Sequence, residues 1–292
     1  MDYTRRMDTE NITESGVEDA YSQPRARTAL GAAAAAVATH VGLLLAGGLV
    51  YGVLVYNQAA VVTTGSLAGV LGGLLTAVLG VIAAMIAVAR WGDGVSGTLM
   101  LLSRAHSLRE YRHTVFFALL TYFLSVLFAV AINALPFMPD AYPAEELLAL
   151  FPEPLLLRIL LVGLLIPVVE EVIYRGIVLR RLAAIFSPRA AIVLSALVFG
   201  AIHWDSLQSL YTFAMGLAIG WLFLRTGSLQ LAVLVHVVFN LYGVMMDALQ
   251  MDTRADWVIG LYTVIFLLGT LILGSRACRF FYDYPEESVA GG

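Results

Sequence analysis

The chain has 292 residues, of which 60% are hydrophobic and 13% charged, with a formal net charge of −4. Soluble domains average about 45–50% apolar and about 25% charged residues, so a soluble fold is excluded. A mean hydropathy of +0.85, carried in unbroken apolar runs of roughly 20 residues, points to an all-α polytopic membrane protein. All 17 basic residues are arginine, and they form no basic patch that suggests a nucleic-acid partner. The single cysteine, Cys278, leaves no disulfide framework and no cysteine-based zinc site.

In chain order, residues 1–28 are polar and too poor in large apolar groups to offset the entropy of ordering, so a disordered tail is predicted. The first apolar run begins late, at Ala29, and lacks a small-residue cleavage site, so it reads as a retained span and not a secretory signal. The apolar runs predict helices near 29–55, 64–89, 114–135, 155–174, 190–203, 207–224, 229–248 and 257–274, a membrane domain of about eight spans over 29–274 followed by a tail at 275–292. Period-2 alternation is missing from these runs, which excludes a lipid-facing barrel. The pairs Gly48/Gly52, Gly69/Gly73 and Gly216/Gly220 are spaced four apart and suit close helix packing.

Arginines alternate with acidic loops along the chain. Arg25 and Arg27, Arg90 to Arg112, Arg175 to Arg189, Arg225, and Arg276 with Arg279 fall on one side of the predicted spans. Asp140, Glu145, Glu146, Glu153, Asp247, Asp252 and Asp256 fall on the other, where Arg254 is the only basic residue. Positively charged loops stay in the cytoplasm, so both termini are expected there, and the absence of lysine suggests the cell membrane of a prokaryote.

Ionisable groups inside spans are costly and are functional candidates by default. The first cluster is PVVEEVIYRG, expected near the arginine-bearing end of span four. Neighbouring helical residues point about 100° apart, whereas Glu171 and Arg175, four apart, face each other and are expected to pair. Glu170 then has no local cation and suits a general base. The second cluster, FGAIHW, places Phe199 one turn before His203. If the chain reverses near Ser187 and Pro188, Glu170 and His203 reach similar depth on antiparallel helices. The third, HVVFN, sets His236 and Asn240 on one helical face. The four residues Glu170, His203, His236 and Asn240 are expected to form one polar pocket within the bilayer.

These ordered motifs, EExxxR, FxxxH and HxxxN, resemble those of the CPBP family, the CAAX proteases and bacteriocin-processing enzymes that include the type II CAAX prenyl endopeptidases. Glu170, Glu171, Arg175, Phe199, His203, His236 and Asn240 match position by position. The resemblance covers about 114–250 and implies an intramembrane endopeptidase of eight helices, acting near the C-terminus of a lipidated or membrane-associated protein or peptide. It further implies that Glu170 and His203 activate water while His236 and Asn240 stabilise the oxyanion, with Glu171, Arg175 and Phe199 in support. Two versions of the chemistry stay open. Glu170, His203 and His236 can supply the three protein ligands of one catalytic zinc ion, or a Glu–His pair can activate water without metal, leaving His236 and Asn240 as hydrogen-bond donors.

Other classes compete for the same residues: a proton-coupled transporter, a non-catalytic membrane protein that captures peptides, or a rhomboid-like serine protease using Ser96 of GVSG with His236 as base. The rhomboid reading leaves Glu170, Glu171 and His203 without purpose, and internal repeats of the kind common in transporters are not seen. His40, alone in span one, is expected to be a hydrogen-bonded structural residue. Arg158, near the outer end of span four, is expected to snorkel to the interface. His106 and His113 receive no role.

Overall fold

A computed structural model describes residues 14–57, 67–92, 94–133, 135, 155–203, 206–249 and 256–284. All regular elements among them are helices: α1 (Glu14–Asn57), α2 (Leu67–Trp91), α3 (Gly94–Leu102), α4 (Leu108–Asn133), α5 (155–183), α6 (Pro188–Ala201), α7 (Ser206–Thr226), α8 (Leu229–Ala248) and α9 (Asp256–Tyr282). Each of the eight predicted spans falls on one of these helices, so the chain is an all-α polytopic membrane protein.

Five of the helices are long and apolar enough to cross a bilayer by themselves, with spans at Arg27–Gly47, Leu74–Trp91, Leu108–Ile132, Ser206–Thr226 and Leu229–Met246. The predicted span at 190–203 differs: α6 has 14 residues, about 21 Å at 1.5 Å per residue, short of a hydrocarbon core of about 30 Å. Leu74, Val78, Met85, Leu127, Leu268 and Ile272 are exposed, an apolar exterior that suits lipid. Helix α1 begins at Glu14, inside the segment expected to be a tail, because extending an existing helix costs far less than nucleating one. Residues 1–13, 136–154 and 250–255, with the acidic loops expected there, lie outside the described residues, as do the surroundings of Gly48, Gly52, Gly69 and Gly73.

The predicted reversal at Ser187 is present. The Ser187 side chain accepts from the Ala190 amide and Pro188 takes the first helical position, two ordinary devices of a helix start. The other tight turn, between α7 and α8, rests on Gly227 at φ 63°, a left-handed conformation that glycine alone adopts without strain. The third glycine pair performs as expected: a Cβ on Gly216 would stand 3.1 Å from the Ala196 Cβ, and one on Gly220 3.3 Å from Ile192, so α7 and α6 lie in close backbone approach.

Helix α5 is not uniform. It is α-helical at Leu155–Arg158, π-helical over Ile159–Leu165, α-helical over Ile166–Ile173, π-helical again over Tyr174–Leu179, and α-helical at Arg180–Ala183. In a plain α-helix, four residues advance about 40° beyond a full turn. The wider first π turn offsets that drift, so Arg158, Val162, Ile166 and Glu170 share one cavity-lining stripe while Leu156, Leu160 and Leu164 face outward.

The bundle has a marked end. Arg181 donates to the Trp91 carbonyl at 2.8 Å, Arg104 to the Thr226 carbonyl at 3.1 Å, and Arg225 to the Phe281 carbonyl at 3.1 Å and to that of Tyr282. The C-termini of α2, α7 and α9 thus lie together, their unsatisfied carbonyls capped by guanidinium groups that also suit the negative end of a helix dipole. Beneath this belt, Ile177, Leu179, Ile219, Leu222, Phe223 and Leu229 are at most 2% exposed and form a sealed apolar core.

Candidate active site

Helix α5 carries both glutamates, and their environments differ. Glu171 is fully buried. Its Oε1 accepts from Arg175 Nη1 at 2.6 Å, the expected i,i+4 pair, and from His236 Nδ1 at 2.8 Å. Arg175 also donates to the Gly216 carbonyl at 3.3 Å and stacks over Phe199, with Cζ 4.8 Å from the ring centroid. The missing Cβ of Gly216 makes room for this, since it would lie 3.6 Å from Arg175 Nη2. Arg175 thus has two acceptors and Glu171 Oε1 two donors, which offsets part of the cost of burying the pair, while Glu171 Oε2 is buried without a hydrogen bond.

Glu170 lines a cavity of about 410 Å³ instead, together with His203, His236 and Asn240. The four residues expected to share one pocket therefore do. Their pairing was not foreseen: Glu170 Oε2 lies 3.6 Å from His236 Nε2, so His236 sits between the two carboxylates, one nitrogen directed at each. Because an ionised carboxylate only accepts, Nδ1 carries the proton shared with Glu171, and Nε2 faces Glu170 and the cavity.

His203 is oriented by the end of its own helix. Its amide bonds the Gly200 carbonyl at 3.1 Å, a tightened last turn, which leaves the Phe199 carbonyl for His203 Nδ1 at 2.8 Å. That bond fixes Nδ1 as the donor and leaves Nε2 as the ring's acceptor in the neutral tautomer. Phe199, fully buried, packs edge-on to His203, His236 and Tyr174 at centroid distances of 5.0, 5.9 and 5.0 Å.

Asn240 Nδ2 donates to the Val162 carbonyl at 2.9 Å, and the sequence of α5 explains why that carbonyl is available. The Ile166 amide bonds Leu161 in the π turn, and the next residue, Pro167, has no amide proton. Val162 therefore has no helical donor, and Asn240 satisfies it from α8. The second Asn240 N–H has no partner among the described residues.

Several cavity residues carried no motif. Tyr122 and Val126 come from α4, and Gln208, Tyr211 and Thr212 from α7. Arg158 is a correction: it is 7% exposed and lines the cavity, not the membrane interface, because the π turn carries it round to the Glu170 stripe. Glu170 precedes Arg181, whose guanidinium caps α2, by eleven residues of α5. His40 is a structural residue as expected, its Nδ1 3.2 Å from the Tyr174 hydroxyl. His106 bonds Glu110 and Ser228, and His113 stacks on Phe280 at 4.3 Å. Ser96 is exposed on α3, remote from the cavity.

The zinc alternative needs three donors aimed at one point. Among the described residues no three His, Cys, Asp or Glu side chains form such a group. The Nδ1 atoms of His236 and His203 bond Glu171 and a backbone carbonyl, which leaves both Nε2 atoms free to ligate, but the set Glu170, His203, His236 does not converge on one ion as it stands.

The fold and cavity define a helical membrane protein with an enclosed, hydrogen-bonded Glu–Glu–Arg–His–His–Asn site. Residues 152–242 match the Rce1-like family model, type II CAAX prenyl endopeptidase Rce1-like. The matched segment, about a third of the chain, contains every motif residue and reaches from the start of α5 into α8. It is similar to a family of membrane proteases, which indicates a protease acting on a peptide or protein substrate in a membrane setting. No curated protein and no solved structure matches the chain.

Proposed function

We propose that the chain is an intramembrane endopeptidase that hydrolyses a peptide bond by Glu170-activated water. The observation that carries this reading is the division of labour between adjacent glutamates: Glu171 is sealed in the pair with Arg175, while Glu170 stands on the wall of the cavity. Residues 114–250 are the catalytic core in this reading, and the segments 1–28 and 275–292, into which α1 and α9 extend from Glu14 and as far as Tyr282, lie on the arginine side.

Glu170, assisted by the Nε2 lone pair of His203, takes a proton from water as its oxygen attacks the carbonyl carbon. Negative charge moves to the carbonyl oxygen, where His236 Nε2–H and the second Asn240 N–H are the donors. In this role His236 carries a proton on each nitrogen, one directed at Glu171 and one at the cavity. Collapse of the intermediate breaks the C–N bond, and the proton held by Glu170 passes to the leaving amine. No step is routed through a metal.

Proteome-wide mapping of protein termini, in cells producing the wild-type chain or Glu170→Gln, tests this. Termini present with wild type and missing with Glu170→Gln are expected. Identical termini in both, with both proteins folded and in the membrane, would overturn the assignment.

A further inference from the structure

The position of the cavity along the bundle carries a consequence for substrate class. Helices α2, α7 and α9 end at the arginine belt, and α4, α6 and α8 start there. Measured from that end at 1.5 Å per residue, Gln208 lies about 26 Å before Arg225, Val244 about 22 Å beyond Leu229, Val126 about 27 Å beyond Leu108, and His203 about 22 Å beyond Pro188. All four line the cavity. The cavity thus occupies the half of the bundle away from the arginines, with Glu170 and His236 at its deep end.

The route to the arginine side is closed. Below Glu170 come Arg175 and Tyr174, each at most 1% exposed, with the buried Phe199 packed against both, and below those Ile177, Leu179 and Phe223, each at most 2% exposed. Among the described residues Arg158 is the one arginine in the cavity half, and it lines the cavity itself. The charge asymmetry assigns the belt to the cytoplasm, and the cavity then faces the opposite leaflet.

Resting on the endopeptidase reading above, we infer that the substrate reaches Glu170 from the extracytoplasmic side, so that its class is a peptide, or a membrane-anchored segment, displayed outside the cytoplasm. A prenylated cytosolic C-terminus would approach from the sealed side.

The test uses the full chain in the Cys278→Ser background, with single cysteines at Val244→Cys, at Gln208→Cys and at the exposed arginine-side control Ser103→Cys. A membrane-impermeant sulfonated maleimide is applied to intact cells and to inverted membrane vesicles. The two cavity cysteines should label in intact cells and Ser103→Cys only in inverted vesicles. Cavity labelling confined to inverted vesicles, or missing from both preparations for both cysteines, overturns the inference. Repeating the labelling with Glu170→Gln keeps the two ideas apart, because it reports the side of the cavity whether or not the cavity cleaves peptides. Glu170-dependent new termini should then fall on extracytoplasmic segments; their fall on cytosolic segments would also overturn it.

Discussion

The two halves of this bundle use the same residue type for opposite purposes. At the belt, Arg104, Arg181 and Arg225 spend their donors on carbonyls at helix ends, over a core with no polar side chain among Ile177, Leu179, Ile219 and Phe223. Away from the belt, Arg175 bonds polar partners and Arg158 lines the cavity. The difference follows from solvation. A belt guanidinium keeps contact with water, and its bonds to carbonyls add stability in modest amounts. A buried one must be matched atom by atom, because its loss of hydration is large. The capped helix ends gather at one end and the cavity at the other, with the Glu171–Arg175 pair between them.

The largest effect that would break this comparison is at Glu170. Glu170→Gln is nearly isosteric and removes the proposed base, a side chain that faces a cavity, so turnover should fall by about 10²–10⁴ while the melting temperature of the detergent-solubilised protein stays close to wild type. A large loss of Tm would mean that Glu170 belongs to the structural pair after all. At Glu171 the order reverses. Glu171→Gln leaves Arg175 and His236 without their shared carboxylate, and a loss of about 3–5 kcal/mol is expected, read as a lower Tm or failed accumulation alongside lost activity.

Asn240→Ala sharpens the boundary between the halves, because Asn240 has both a structural bond and a free donor. Loss of an oxyanion donor should lower kcat by about 10²–10³ with KM little changed, and the orphaned Val162 carbonyl should cost about 1–3 kcal/mol. A variant that is less stable yet keeps its kcat would restrict Asn240 to holding the π turn. The smallest effect belongs to the belt: Arg181→Ala removes a guanidinium from the end of α2, and thermal unfolding should register about 0.3–1 kcal/mol with activity retained. A large activity loss there would mean that the two halves are coupled more tightly than their contacts suggest.

Much of this was legible in the amino-acid order. Uninterrupted apolar runs located the helices, because a chain in lipid must satisfy its backbone internally. The i,i+4 spacing of Glu171 and Arg175 dictated their bond, because it depends on one helix alone, and Ser187-Pro188 marked the turn that carries His203 back toward Glu170. What lay beyond reach depended on how helices are rotated against one another. Helices apolar on nearly every face, such as α5 and α8, carry little sequence contrast to mark which side is buried. Only the packed structure decided that His236 would take both glutamates as neighbours, and that Arg158 would turn inward. The π turns were decisive and invisible: Pro167 announces a missing amide, but only tertiary packing determined that Asn240, from 78 residues away, would bond the carbonyl it left behind.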